Sequence, residues 1–506
     1  MSRIPKLAAV LTASAIALAA CSSGGDNDSS DAAGDALRYG ALVDISSWAA
    51  ADAPWGNSKP YVQAVYDTLL REEPDGLTPG LATEWTWDES RTALTLTLRD
   101  DVTFSDGTPF DAQVAADNLL RFRDGASEDA ATLANLADVS VVDGTTITLQ
   151  LTQPDPGLEV ALARGAGLQA APATFDAPDA QTNPIGSGPY VLDTDKSVPG
   201  STYVFEARDD YWDVDTQNYE SMTINVYSDA TALLNAIKGG QVDVANLNSV
   251  AQAADAEAAG YDVDYVETNW KGLLLADRAG SIEEPLGDVR VRQAINYALD
   301  REALLQAIED GQGEATSQVF APDSDAFDSE LDSAYEYDPA KAKELLAEAG
   351  YPDGITLVQP QTNFVPASDF ELVAGMLAES GITLEYEQVG STFIGDMLAG
   401  KWASFQFGLP LDAPWIAYRQ FIASDAQWNV THYEDPTVSA LAERMAVGGD
   451  DAADAALEMN QYLVDQAWFA PFYRVNGAIA SNEATDVNDL VVGSGVPNLR
   501  SITPAS

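Results

Sequence analysis

The chain has 506 residues, 80 acidic and 25 basic, for a formal charge of −55, with one histidine and one cysteine. Such a charge repels phosphate backbones and argues against nucleic-acid binding; one cysteine and one histidine leave no internal disulfide, no four-cysteine zinc site, no histidine-cluster metal site and little room for a Ser-His-Asp enzyme. The apolar fraction of 46% belongs to a folded chain, of about three domains by length, and the acidity is spread along it, as on a solvated surface.

In chain order, Arg3 and Lys6 precede an apolar run from Leu7 to Ala20. That run is shorter than the ~20 residues of a membrane-spanning helix and reads as a signal peptide. It ends Leu18-Ala19-Ala20-Cys21, which resembles a bacterial lipobox, and the only cysteine of the chain falls on the lipidated position. The resemblance implies cleavage after residue 20 and an acylated Cys21, with two chains enough for stable anchoring. Residues 22–35 are Ser, Gly, Asp and Asn with almost nothing apolar, as in a flexible tether. No later run of apolar residues is long enough to span a bilayer, so the expected location is extracytoplasmic, held to the membrane by lipid only.

The body alternates between strand and helix patterns. Tyr61 to Leu70 looks helical. Period-two alternation predicts strands at Ala93 to Arg99, Thr146 to Leu151, Thr202 to Phe205, Met222 to Tyr227 and Ile382 to Tyr386. Asp106-Gly107 predicts a turn ahead of a helix that Pro109 helps start, and Gly186 and Gly188 are expected to supply positive φ around Ser187. Asp229 caps a helix from Ala230 to Lys238, closed by Gly239-Gly240. Asp288 caps another from Val289 to Leu299, which Asp300-Arg301 either interrupts or continues toward Ile308. Asp338 caps, and Pro339 opens, a helix through Ala349 with Gly350 at its C′ position. The interleaving makes the chain α/β or α+β. Gly186-Ser187-Gly188 lacks the lysine of a phosphate loop and has no nearby histidine, so it reads as scaffold.

Five ordered motifs carry a resemblance. They are Leu81-Ala82-Thr83-Glu84-Trp85 leading to Val102-Thr103-Phe104-Ser105-Asp106-Gly107-Thr108-Pro109-Phe110; Asn183-Pro184-Ile185-Gly186-Ser187-Gly188-Pro189-Tyr190; Arg208-Asp209-Asp210-Tyr211-Trp212, with arginine where asparagine is usual; Asp288 to Arg301, reading DVRVRQAINYALDR; and Tyr337-Asp338-Pro339 through Leu345 to Tyr351. Together they resemble the family 5 extracellular solute-binding proteins of ABC importers. The resemblance implies an α/β, two-lobed periplasmic-binding-protein-like fold, type II in its large three-domain variant, with a hinge between the lobes. Residues 36–72, 184–267 and 473–506 would form a discontinuous lobe-one domain, 73–183 an inserted lobe-one domain, and 268–472 lobe two. The hinge crossings would lie near Glu267 to Lys271 and Phe472 to Val475. Solute would bind between the lobes of a monomer and pass to an ABC permease and ATPase complex. No catalytic residue, metal or cofactor is implied.

Arg290, Arg292 and Asp300 read as surface or intra-domain pairs, and Trp85, Trp87, Trp212 and Trp468 as core. Against the family, Trp48, Trp55, Trp270, Trp415 and Trp428 fall on segments that would face the solute. Asp412 has two readings: the partner of a peptide ammonium, through a charge-assisted bond, or a turn or capping residue. The segment Gln359-Pro360-Gln361-Thr362-Asn363 lacks the arginine with which dipeptide binders hold a carboxylate. An oligopeptide held along its backbone is the favoured solute. An oligosaccharide on the tryptophans, with Ser46, Gln361, Asn363 and Asn429 as polar partners, is the alternative; nickel or haem is disfavoured, and His432 reads as a loop residue.

Overall fold

A computed structural model describes residues 36–505 apart from 248, 363, 364 and 391. Cys21, the signal peptide, the tether and Asn363 lie outside the described residues.

One core is local in sequence. The strands Ala82–Trp87, Ala93–Leu98, Thr146–Leu151 and Leu136–Asp143 form an antiparallel sheet in that order. Leu94, Leu96, Ile147 and Leu149 point to its buried face, while Thr95 and Thr148 meet through their hydroxyls on the other. The helix Ala112–Arg123, capped by the Asp111 carboxylate on Val114 N–H, closes this core with Leu119 and Phe122. Pro109 does not open that helix; it sits in an extended bridge with Thr103.

A nine-stranded sheet holds the rest together. Ala36–Ala41 runs parallel to Ser221–Val226 on one side and to Val244–Leu247 on the other. The strands Asp262–Leu275 and Phe469–Ser481 pair antiparallel along their length. At one end they adjoin Val244–Leu247, beside the core around Leu37, Tyr61 and Phe205; at the other they adjoin Ser404–Pro410, beside cores around Trp270 and Leu273. Their register shifts twice, between Glu267 and Asn269 and between Lys271 and Gly272. Such irregularities bend a strand and raise its twist. At the second, a Cβ on Gly272 would stand 2.5 Å from the Pro471 backbone, so glycine is required.

The motif residues are scaffold. Arg208 is buried and donates to the Gly186, Gly188 and Thr103 carbonyls, tying three motifs together. Gly186 and Gly188 do not have positive φ; they are glycine because a Cβ would come within 1.9 Å of Val65 O and 2.5 Å of Tyr66 N. Arg301 is buried and donates to five acceptors, including the Thr316, Pro471 and Tyr335 carbonyls. Asp300 interrupts the helical run: Val289–Tyr297 ends and Arg301–Ile308 begins with Asp300 as its cap. The expected helix at Tyr61 to Leu70 is shorter, Lys59–Val65, because Leu70 already starts the strand Leu70–Glu73.

Candidate functional site

The helix Gly157–Ala163 ends at Arg164, whose extended backbone breaks it. The chain turns back through Gly165-Ala166-Gly167, where a Cβ on Gly167 would lie 1.8 Å from Leu162 O. Leu69 N–H donates to Gly167 O and Gln169 N–H to Asp67 O, docking this turn beside Leu70–Glu73. Arg164 thereby faces Glu72, and its Nε and Nη2 donate to that carboxylate at 3.0 and 2.8 Å. Its other edge meets Asp412, with Nη1 and Nη2 donating at 2.9 and 3.2 Å. One planar fork thus serves two carboxylates, a geometry that arginine offers and lysine does not.

Asp412 comes from the other end of the central sheet. Leu411 is buried and its N–H donates to Thr268 O. Asp412 Oδ1 also accepts from Ala413 N–H, and Pro414 opens the short helix Pro414–Ala417. Within it, Trp415 Nε1 donates to Asp155 Oδ1 at 2.8 Å. The segments 155–164 and 412–416 therefore meet through an ion pair and a second polar contact.

The charges here are perturbed by one another. Burial alone would lower the Arg164 pKa, but Asp412 and Glu72 outweigh it and hold the guanidinium well above its ordinary value. Burial raises the Glu72 carboxyl, and Arg164, with smaller help from Lys59, more than reverses this. Lys59 is buried, donating to Ser494 Oγ at 2.5 Å and Val496 O at 3.0 Å. Desolvation pushes its ammonium down to about 7, with Glu72 partly opposing.

A second arginine stands where the two long strands shift register. Arg474 is buried and donates from Nε to both Glu267 oxygens, at 3.2 and 3.1 Å, and from Nη1 and Nη2 to Asp332, at 2.7 and 3.2 Å. Asp332 in turn accepts from Thr316 Oγ1 and Gln318 Nε2.

The six solute-facing candidates divide. Trp55, Asp412 and Trp415 gather around residues 155–165: a Cβ on Gly165 would lie 3.6 Å from the Trp55 Cβ, and the Lys59 ammonium stands 5.8 Å from the Trp55 ring centroid. Trp415 stacks on Tyr418 at 5.2 Å. Trp428 stacks on Phe407 at 4.7 Å and is half-buried. Trp48 and Trp270, like Trp55, are buried. Trp48 packs edge-on against Tyr61 and Tyr203 in one core, and Trp270 against Phe421 and Phe469 in another. Asn429 is also committed internally: it is fully buried, its amide donates to three carbonyls, and its oxygen accepts from Arg278 and Tyr433. His432 is a loop residue with φ 54° whose Nδ1 lies 3.0 Å from Ser424 O. Arg164, Glu72 and Lys59 were not expected from the sequence; the one signal was a lone arginine in the stretch 157–171, where Glu159 and Gln169 are the only other residues that are not small or apolar. Among the described residues, no His/Cys/Asp/Glu group is arranged to hold a metal ion, and no helix is long and apolar enough to cross a membrane.

Residues 76–425 match the family model for bacterial extracellular solute-binding proteins, family 5 Middle. The nickel-binding periplasmic protein of Escherichia coli K12 is 31% identical over 306 residues, covering 57% of this chain and 56% of that protein. The glutathione-binding protein GsiB of Escherichia coli O1:K1 / APEC is 28% identical over 316 residues, covering 60% and 59%. The chain thus spans somewhat over half the length of these curated relatives. Among solved structures, the ABC transporter substrate-binding protein CtaP of Listeria monocytogenes superposes with a TM-score of 0.79 at 22% identity, over 93% of this chain and 99% of that one. The fold is that of a two-lobed α/β binding protein.

Proposed function

Because this chain belongs to the family 5 bacterial extracellular solute-binding proteins, we propose that it is a transport receptor rather than an enzyme, the extracytoplasmic component of an ABC importer that captures an oligopeptide between two lobes and delivers it to the permease. The observation that carries this reading is the pairing of Arg164, beside the core around Leu94, with Asp412, beside the core around Trp270, while the strands Asp262–Leu275 and Phe469–Ser481 join the Trp270 core to the separate core around Leu37. An arrangement joined at one edge and meeting at another opens and closes by changing few backbone angles. A solute that touches both sides then favours the closed state through its differential affinity. The cores follow the divisions 36–72 with 184–267 and 473–506, 73–183, and 268–472 except at their borders, where Leu69 and Leu70 join the second, Leu168 and Ala170 the first, and Tyr473 and Val475 the third.

In this reading Trp48, Trp55, Trp270, Trp415 and Trp428 supply flat apolar contacts, of which Trp415 and Trp428 are only half-buried, and Asp412 supplies charge. Small-solute sites combine apolar walls with a few placed polar groups in this way. A glutathione-binding relative supports a peptide; the nickel-binding relative is matched over a similar share, but the one histidine lies in a loop. Cys21 would carry the lipid that holds the receptor at the membrane. Native mass spectrometry of the protein as purified tests the solute class. A bound mass that fragments as a peptide is expected. A hexose-spaced series would replace the peptide with an oligosaccharide, and a metal chelate would overturn both.

A further inference from the structure

Arg164 has a use beyond its own lobe. Its guanidinium offers five N–H groups, and four N–H···O bonds divide evenly between Glu72, on its own side, and Asp412, on the other. All of these partners belong to this chain, so the contact requires no solute. The two carboxylates are not equivalent. Glu72 adjoins the turn that carries Arg164 and stays beside it whatever the other lobe does. Asp412 is carried by the strand Ser404–Pro410 and its following turn, 248 residues away along the chain. Trp415 and Asp155 add a second bond on the same side of the contact.

We propose that Arg164 is a built-in latch and a specificity-determining residue: it stands in for a solute cation on Asp412, holds the two lobes together without solute, and must be displaced by any solute that brings an ammonium to that carboxylate. The proposal rests on the reading of the chain as a two-lobed receptor. Glu72 holds the guanidinium in place in the open state, so the latch is preorganised and closing orders little else. A solute lacking a cation would leave the latch shut and find Asp412 already neutralised. A solute with an ammonium exchanges one charge-assisted pair for another, and the net gain is the difference between the two.

The test is solution scattering from the purified chain, freed of solute by unfolding in guanidinium and refolding. Asp412→Asn keeps the Arg164–Glu72 pair and removes the ion pair between lobes, leaving the Trp415–Asp155 bond; Arg164→Gln removes both ion pairs. Circular dichroism checks that each variant is folded. The latch predicts a larger radius of gyration for both variants than for the parent, by a similar amount, and expansion of the parent in 1 M NaCl, where the Debye length falls to about 3 Å. A parent whose radius equals that of Asp412→Asn at both salt concentrations overturns the latch. A bound solute found by mass spectrometry alongside that result would leave the receptor reading standing, so the two failures are distinct.

Discussion

Arg474 and Arg164 are each gripped by two carboxylates, yet they join different things. Arg474 lies on the strand Phe469–Ser481 and binds Glu267 on the adjacent strand and Asp332 nearby, with its side chain 3% exposed. Arg164 binds Glu72 beside it and Asp412 from a distant core, with its side chain 27% exposed. Arg474 and Glu267 lie on adjacent strands and cannot part without tearing the central sheet, and Asp332, in the short helical turn Ser329–Ser333, completes the grip. Glu72 and Asp412 part whenever the lobes do. The same chemistry is therefore a rivet in one place and a catch in the other, and what decides between them is burial and whether the backbones are otherwise tied.

The largest effect that sharpens this contrast is on stability. Arg474→Leu leaves Glu267 and Asp332 facing each other without a cation. Burial already raises the Glu267 carboxyl above its ordinary range, with Arg474 the main opposing influence. Removing one member of a buried pair costs about 3 kcal/mol or more, and urea unfolding should show that loss. Asp412→Asn leaves Arg164, 27% exposed, still paired with Glu72, and should cost less, about 1 kcal/mol on the same scale. Equal losses would break the distinction between rivet and catch.

A smaller effect concerns pH and separates the two regions differently. Lys59 lies near Glu72 and Arg164, and its buried ammonium is brought down to about 7, against about 10.4 in an unfolded chain. Between those values the unfolded state holds a proton that the folded state has lost. Stability from this group therefore rises with pH across that window, by up to about 1.4 kcal/mol per unit. Urea unfolding at pH 7, 8 and 9 should show the parent gaining on Lys59→Met by about that slope. Parallel trends would mean that Lys59 keeps its charge when buried.

Much of this architecture could be read in the sequence, for physical reasons that also mark where reading stops. Leu94, Leu96, Ile147 and Leu149 alternate with threonines because one sheet face is buried, and that pattern is local. Asp229, Asp288 and Asp338 announce their helices because a cap acts within three residues. The glycines at 186 and 188 were visible but misassigned: the same residue serves positive φ and close approach, and only the neighbouring Val65 and Tyr66 backbone decides. Trp48 and Trp270 sit among turn residues and at a strand crossing, which suggested open faces. Rings from Tyr61, Tyr203, Phe421 and Phe469, distant in sequence, enclose them. Asp412 and Trp415 were legible as candidates in the run Leu411-Asp412-Ala413-Pro414-Trp415, and they meet Arg164 and Asp155. Arg164 was not, because a side chain whose partner lies 248 residues away leaves no spacing to find.

The smallest expected effect tests what kind of contact the catch is made of. Trp415→Phe keeps a ring to stack on Tyr418 and removes only the Nε1–H bond to Asp155, 2.8 Å long. A single such bond contributes about 1 kcal/mol. The indole N–H is neutral, so its attraction to the carboxylate is that of a dipole and is little changed by salt. The pair of Arg164 with Asp412 joins two full charges at a partly exposed position and is screened. Urea unfolding in 0.1 and 1 M NaCl separates them: the loss from Trp415→Phe should be the same in both, whereas the loss from Asp412→Asn should shrink in the higher salt. If both losses shrink together, the contact between 155–164 and 412–416 forms as one cooperative unit, and the tryptophan bond depends on the ion pair being in place.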